Sequence, residues 1–452
     1  MRLIRYIQLM ILLTIVAGYA GVSDAQIWWN EQWKYRKKIT FDTGPGGADI
    51  GENLTDVPVL IRLHAGNFNF ANAKQDGSDI RFVATDDKTT LKFHIERFDP
   101  LDGMGLVWVK LPRIVRNSNQ EAIWMYYGNP AAAASQDAGG TYDISHVGVY
   151  HLGETEGPPR DSTNYANHAS EIVGGQGLPS FIGSGASLNG AGDRIVIPST
   201  PSLKFAAGLT FSAWIRVPAP VEDGYLFSLG DDKQRSAIAM DQSRACSRLI
   251  GVEGEKETTL REACAEVPLN AWHHLAVTVQ PKGKMQVYLD GEEAASAEFP
   301  GALPEHKGDF VIGASSKKGE RFFAGDLEEI RISNVARSAA WVKTAVKAEG
   351  PDGRLYSVSQ EEMGKAGGLP VFYLKTIVKN ISEIHQSIYE RDYVTIEPAE
   401  DLPPVKDQSQ LAKMIADLTA EMKKAAKDLQ FERAAQLRDK IKELNKLDIF
   451  LA

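Results

Sequence analysis

From residue 146 to residue 346, apolar and polar positions alternate with a period of two, which sends successive side chains to opposite faces of a strand. Leu209, Phe211, Ala213, Ile215 and Val217 share one face. Leu275, Val277 and Val279 repeat the pattern, and Met285, Val287 and Leu289 follow it. Asp290-Gly291 then supplies the positive φ that a two-residue hairpin turn needs. Ile330 and Ile332 close the series. Many short strands separated by turn residues predict a β-sandwich.

A second block, residues 26–145, carries the same signal. Tyr35 to Phe41 reads as its first strand, and Val57, Val59, Ile61 and Leu63 alternate. Strand-like runs recur at Ile80 to Ala84, Phe93 to Arg97, Leu106 to Leu111 and Ala122 to Gly128. Asp76-Gly77 and Asp102-Gly103 mark turns. Residues 349–373 are rich in Gly and Glu and read as a linker.

The period then changes. Ile377, Ile381, Ile384 and Ile388 fall at helical spacing, and Pro398, Pro403 and Pro404 interrupt it. Leu411, Ile415, Leu418, Met422, Ala425 and Leu429 form one apolar stripe; Phe431, Ala434, Ala435, Ile441 and Leu444 form a second. Two amphipathic helices with a short link predict an antiparallel hairpin over about residues 407–446. The fold class is therefore mainly β: two β-sandwich, jelly-roll-like domains (26–145 and 146–348) plus a C-terminal α-helical hairpin within 374–452.

Residues 1–25 read as a signal peptide: Arg2 and Arg5, an apolar run from Ile7 to Ala20, then small residues at Ser23 and Ala25. A retained membrane anchor is the competing reading. No later stretch is long and apolar enough to span a bilayer. The expected location is the periplasm or cell envelope.

Composition adds little. The chain has 452 residues, and its net charge of −9 disfavours direct nucleic-acid binding, which needs clustered Lys and Arg. The two cysteines, Cys246 and Cys264, fit no zinc spacing. After export they either form one disulfide across neighbouring strands or sit as two small buried apolar residues.

Candidate chemistry is sparse. No G-x-S-x-G elbow and no P-loop occurs, and Asp326 with Glu328 does not make the carboxylate pair that hydrolyses glycosidic bonds. The chain is expected not to be an enzyme. Trp214 and Tyr288 have the parity of the polar face, where rings either stack on sugars or are buried beneath a loop or the N-terminal domain. Glu328 has the parity of Ile330 and Ile332 and is expected on the core side. The loop from Asp161 to His168 is rich in oxygen ligands of the kind calcium takes. Glu328 either joins a metal site or is satisfied by backbone N–H groups or an arginine.

Three resemblances extend this reading. Ser187 to Pro198, Phe211 to Ile215, Trp272 to Val277, Val287 to Gly291 and Phe323 to Ile332 follow the order of motifs in LamG-like, concanavalin A-like jelly rolls. That resemblance implies a binding module for a glycan or an envelope protein. It also implies calcium at Asp161, Asn167 and Glu328, although Glu328 stands where that family usually has Asp. Trp33 to Lys37, Asp76 to Phe82, the Trp108 strand and Met125 to Asn129 resemble an uncharacterised domain family found ahead of LamG-like modules in MotA/TolQ/ExbB-type proteins. Phe431-Glu-Arg-Ala-Ala-Gln-Leu-Arg-Asp439 resembles the UVR motif, and the last 75 or so residues resemble the C-terminus of UvrB, a component of the ABC excinuclease. This implies a docking face at Phe431, Ala434, Ala435 and Leu437, with Arg438 setting orientation. The partner is another UVR hairpin or a second copy. The alternative is a protein related to nucleotide excision repair, with a UvrC-type partner, or a chimeric gene join.

Overall fold

A computed structural model describes residues 28–230, 233–253, 256–315, 320–351, 354–364, 418–420 and 424. The chain divides into two compact units, residues 1–370 and residues 371–452. In the second unit Leu418, Thr419, Ala420 and Lys424 are helical. The expected docking residues Phe431, Ala434, Ala435, Leu437 and Arg438, and the signal segment, lie outside the described residues.

The first unit begins with six strands: β1 (Tyr35–Phe41), β2 (Leu54–His64), β3 (Arg81–Ala84), β4 (Phe93–Asp99), β5 (Met104–Ile114) and β6 (Ala122–Tyr127). A single helical turn, α1 (Ala138–Thr141), leads to β7 (His146–Tyr150). Next come β8 (Glu171–Val173), β9 (Gly175–Pro179), β10 (Ser184–Asn189), β11 (Arg194–Ile197), β12 (Leu209–Arg216), β13 (Val221–Gly230) and β14 (Gln234–Gln242). They are followed by β15 (Arg244–Glu253), β16 (Lys256–Glu266), β17 (Trp272–Val279), β18 (Gly283–Leu289), β19 (Glu292–Phe299), β20 (Phe310–Ile312) and β21 (Ala324–Ser333). Helix α2 (Ala339–Glu349) and two short strands, β22 (Tyr356–Val358) and β23 (Glu362–Met363), end the described part of the unit.

The jelly roll is two antiparallel sheets. One runs β19-β18-β17-β12-β21-β10-β9 with β7 on β21; the other runs β16-β15-β14-β13-β20-β11-β8. Leu209, Phe211, Ala213, Ile215, Val217, Leu275, Val277, Val279, Ile330 and Ile332 all enter the core between them, as their alternation predicts. Asp290 and Gly291 turn with φ of 50° and 89°.

The N-terminal sandwich packs the sheet β22-β1-β6-β3, with β23 also on β1, against a three-stranded sheet, β2-β5-β4. Val57, Val59, Ile61, Val107 and Val109 face its core. On the opposite face of the same strands, Leu60, Leu106 and Trp108 pack on Ile182 and Trp214 of the jelly roll. The three-stranded sheet is therefore covered on both sides. This accounts for the nearly unbroken apolar runs of β2 and β5, which a half-solvated strand would not carry.

The expected linker is partly structured. Ile39, Thr40 and Phe41 pair with Val358, Ser357 and Tyr356, and Tyr35 and Arg36 pair with Met363 and Glu362. The chain thus leaves the N-terminal sandwich, builds the jelly roll and returns to complete the first sheet. Leu355 is fully buried there. Glu361 accepts from Tyr127 Oη at 2.6 Å and from Asn72.

Helix α2 fills the space beside the seam. Ser338 caps its N-terminus by accepting from the Trp341 N–H. Val342 packs on Ala276 and Tyr288, while Ala348 joins the N-terminal core.

Candidate functional site

Each residue singled out within the two sandwiches has a definite place. Trp214 is 3% exposed and Tyr288 1%. Trp214 lies against Phe181, ring centroids 4.5 Å apart, in the seam between the sandwiches, and Tyr288 lies under α2. Neither offers a face to a sugar, so the stacking role gives way to burial. Hiding a ring of that size, roughly 200 Å² at ~25 cal/mol/Å², outweighs leaving it on a wet surface by about 5 kcal/mol.

Glu328 does not face the jelly-roll core. The β12–β21 register shifts, so that Ser212 opposes Arg331 but Trp214 opposes Glu328. Glu329, with φ of 50°, lies in the bulge. One extra residue reverses the parity, and Glu328 joins Trp214 on the outer face. Its carboxylate accepts from the Ile182 and Gly183 N–H groups at 3.0 and 2.6 Å and from Ser180 Oγ at 2.8 Å. Burial pushes its pKa up to about 7, against the pull of those donors.

Asp161 and Asn167 organise a different segment. Asp161 accepts from the N–H groups of Val149, Thr163 and Asn167 and from Thr163 Oγ1. Asn167 donates to the Val147 carbonyl and accepts from Thr200 Oγ1. Among the described residues, two groups bring three His, Cys, Asp or Glu ligand atoms within 4.8 Å of one another, and neither includes Asp161 or Glu328. The expected calcium set is thus divided between two hydrogen-bonded structural roles.

Cys246 and Cys264 stand directly opposite each other on β15 and β16, Cα atoms 4.1 Å apart, joined by a disulfide. Nearby, Arg235 pairs with Glu257, and Arg248 pairs with Asp223 and Asp241. These charges satisfy one another.

The seam holds charges that nothing in the periodicity revealed. His151 Nδ1 is 2.5 Å from Glu329 Oε1 and 3.5 Å from Glu96 Oε2. Burial lowers the His151 pKa, but Glu329 and Glu96 outweigh it and hold the imidazole up at about 9. Burial, then Glu329, pushes Glu96 up to about 7. Arg331 Nη1 pairs with Glu349 at 2.6 Å and Nη2 with Glu329 at 3.2 Å.

An open groove of about 330 Å³ lies between the end of β2 and the returning segment, lined by Arg62, His64, Asn67, Ala348, Gly350, Pro351, Tyr356 and Val358. Tyr356 Oη accepts from the Arg62 N–H at 2.8 Å. The Arg62 guanidinium donates to the Glu349 carbonyl, while its Nε has no protein partner. Asn67 donates to the Arg62 carbonyl at 3.0 Å and accepts from the His64 N–H at 2.9 Å. Among the described residues the lining has an arginine, an exposed imidazole and an amide over an apolar floor, and no carboxylate. Its volume suits a small polar ligand. Sequence reasoning missed it because Tyr356 lay in the presumed linker. The one available signal was Arg62 interrupting the apolar run of β2.

Three families match parts of the chain. Residues 189–343 match the model of the concanavalin A-like lectin/glucanases superfamily, residues 76–167 that of a domain of unknown function (DUF2341), and residues 412–447 the UvrB/uvrC motif. UvrABC system protein B from Thermodesulfovibrio yellowstonii is 40% identical over 67 residues, 15% of this chain and 10% of that protein. Its counterpart from Syntrophotalea carbinolica is 38% identical over 76 residues, 17% of this chain and 11% of that protein. The chain thus spans about a tenth of the length of these relatives, within the tail.

Among solved structures, domain 4 of AbnA, a GH43 extracellular arabinanase from Geobacillus stearothermophilus in complex with arabinotriose, is 21% identical. It covers 46% of this chain and 98% of that one, with a TM-score of 0.36. The binding domain of Paraclostridial Mosquitocidal Protein 1 is 15% identical, covers 46% of this chain and 53% of that one, and has a TM-score of 0.36.

Proposed function

We propose that this chain is an exported, non-catalytic binding protein. Its double sandwich holds a glycan or an envelope protein, and its tail docks a partner hairpin. The observation that carries the reading is the groove at Arg62, His64, Asn67 and Tyr356. Its lining among the described residues is polar and holds no carboxylate, with the Arg62 side chain and the exposed His64 imidazole at its wall on a β scaffold. It offers donors for hydroxyl or carboxylate oxygens, and no acid–nucleophile pair is among its lining residues. The test is retention of the full chain on a glycan array and on envelope extracts, beside His64→Ala, which alters an exposed groove residue. Specific retention weakened at least tenfold by the substitution supports the groove. Retention of nothing, or retention indifferent to the substitution, overturns it.

The tail carries the second half of the proposal. The match of residues 412–447 to the UvrB/uvrC motif supports docking of another such hairpin through Phe431, Ala434, Ala435 and Leu437. Small residues let helices approach closely, and a central aromatic anchors the contact. Phe431→Ala in the full chain is expected to abolish capture of a second UVR hairpin or self-association, measured by light scattering. A full chain that is monomeric at high concentration and ignores such hairpins removes that role. The tail's identity to UvrB also favours a repair-related reading. N-terminal sequencing of the chain isolated from its cells separates the two: an intact Met1 in a cytosolic protein favours repair, and a start near Gln26 favours export.

A further inference from the structure

We infer that Glu96, His151 and Glu329 form a site for one first-row divalent cation at the seam between the two sandwiches. Each residue offers one ligand atom, and these atoms lie within 4.8 Å of one another. Glu96 comes from β4 of the N-terminal sandwich, Glu329 from the β21 bulge, and His151 from the end of β7, so a bound ion would tie the two domains together.

Three observations point to a cation. The first is charge. Arg331 is shared between Glu349 and Glu329, which leaves His151 as the single base between two buried carboxylates. One imidazolium balances one of them. A divalent ion balances both and leaves the imidazole neutral, the form that ligates.

The second is the surrounding support. Metal ligands are ordinarily oriented by partners on their non-ligating atoms. Trp108 Nε1 donates to Glu96 Oε2 at 2.8 Å, the same oxygen that faces His151 Nδ1, so this carboxylate is oriented through one lone pair of the ligand atom itself while the other stays free. Arg331 Nη2 holds Glu329 Oε2, leaving Oε1 toward the imidazole. His94 Nε2 is 3.1 Å from His151 Nε2. A His151 ligating through Nδ1 carries its proton on Nε2 and donates it to His94. That leaves the N–H of neutral His94 on Nδ1, the atom without a protein partner.

The third is spacing and access. Ligands at about 2.0–2.2 Å from one ion stand roughly 3.0–3.6 Å apart. The Glu96–His151 separation of 3.5 Å already fits, and the Glu329–His151 contact of 2.5 Å need open by about 1 Å. His151 and Glu96 side chains are 10% and 9% exposed, a narrow entry for an ion. One nitrogen and two carboxylate oxygens suit Zn²⁺, Mn²⁺ or Fe²⁺ better than Ca²⁺. The rival state puts a proton on Glu96 in place of the ion.

Zn²⁺ is the probe. The full chain, stripped with EDTA and dialysed against Zn²⁺, is expected to retain one equivalent and to unfold several degrees higher than the stripped form. Glu96→Gln keeps an acceptor for Trp108 but loses the anionic ligand, and is expected to weaken Zn²⁺ binding at least 100-fold. Co²⁺ on the wild-type chain supplies a readout independent of any variant: visible d–d absorption that one equivalent of Zn²⁺ removes. Folded wild type that retains no Zn²⁺ overturns the site. Equal Zn²⁺ binding by folded Glu96→Gln, or Co²⁺ without low-coordinate absorption, assigns the metal to adventitious surface groups and overturns it too.

Discussion

The indole N–H of Trp214 donates to Glu349 Oε2 across 2.9 Å, with both groups buried. This bond ties the middle of β12 to the last turn of α2 where the two sandwiches meet. Trp214→Ala is expected to destabilise the fold by about 3–5 kcal/mol, since it empties a large buried site. Trp214→Phe keeps most of the packing but leaves Glu349 short of a donor, and is expected to cost about 1–3 kcal/mol. Urea unfolding of both variants checks the order. A Trp214→Ala chain as stable as wild type would place the ring outside the packed seam.

How far the sequence reaches is visible around that same residue. Alternation placed the core face of β12 correctly, because both sheets of the jelly roll obey one period. It also put Trp214 on the opposite face, where two readings remained; the covering domain decides between them, and no local pattern describes a neighbour. Glu328 misled for a different reason. Parity counts assume an unbroken ladder, and the bulge at Glu329 inserts one residue. The groove was hidden because β22 and β23 are three and two residues long, too short to show a period. Glu96, His151 and Glu329 meet only through tertiary structure.

The returning strands make a prediction of their own. A fragment ending at Glu349 loses buried Leu355, the Tyr356 bond to Arg62 and the Glu362 partner of Arg36, which is itself only 1% exposed. The loss is expected to reach about 5 kcal/mol or more, a large part of an ordinary domain's stability. Residues 26–364 are expected to unfold cooperatively, whereas residues 26–349 are expected to be partly unfolded or aggregated. Circular dichroism melts of the two fragments decide it. Equal melting temperatures would return the segment to the status of a linker.

Cys246 and Cys264 form a directly opposed pair in the β15–β16 ladder, separated by 18 residues in sequence. Export to an oxidising compartment is expected to leave no free thiol in the unreduced, denatured chain, and two after reduction. Closing a loop of this length is worth about 3 kcal/mol in the unfolded chain. Cys264→Ala is expected to lower the denaturation midpoint accordingly. Two thiols before reduction would refute the bridge.

The last prediction is acid sensitivity. His146 and His274 are buried, and burial is the main cause holding their pKa values down at about 4 and about 3. His146 gains a partner in Asp143, whose carboxylate also takes the Arg337 guanidinium, but the Asp143 bond does not offset the burial. His274 has only Arg331 as a charged neighbour among the causes of its depression, and that charge lowers it further. Both imidazoles line a cavity of about 20 Å³, room for one water. In the unfolded chain both would protonate near 6.5. Below that pH the unfolded state binds protons that the folded state refuses, so stability rises with pH across this range and falls as pH falls. The loss is expected to begin near pH 6.5 and to continue to about pH 4 for His146 and about pH 3 for His274. A gap between folded and unfolded pKa is worth about 1.4 kcal/mol for each tenfold difference in proton affinity, so each histidine contributes a few kcal/mol. Glu96 and Glu328, held up at about 7, take up protons in the folded state over the same range and oppose this loss, so the histidines' share is the difference between wild type and variant in urea midpoints measured from pH 7.5 to pH 4. The midpoints are expected to fall less steeply than the wild type's in His146→Gln and His274→Gln, which cannot take up the proton. A wild-type slope unchanged by either substitution would assign the acid sensitivity to other groups.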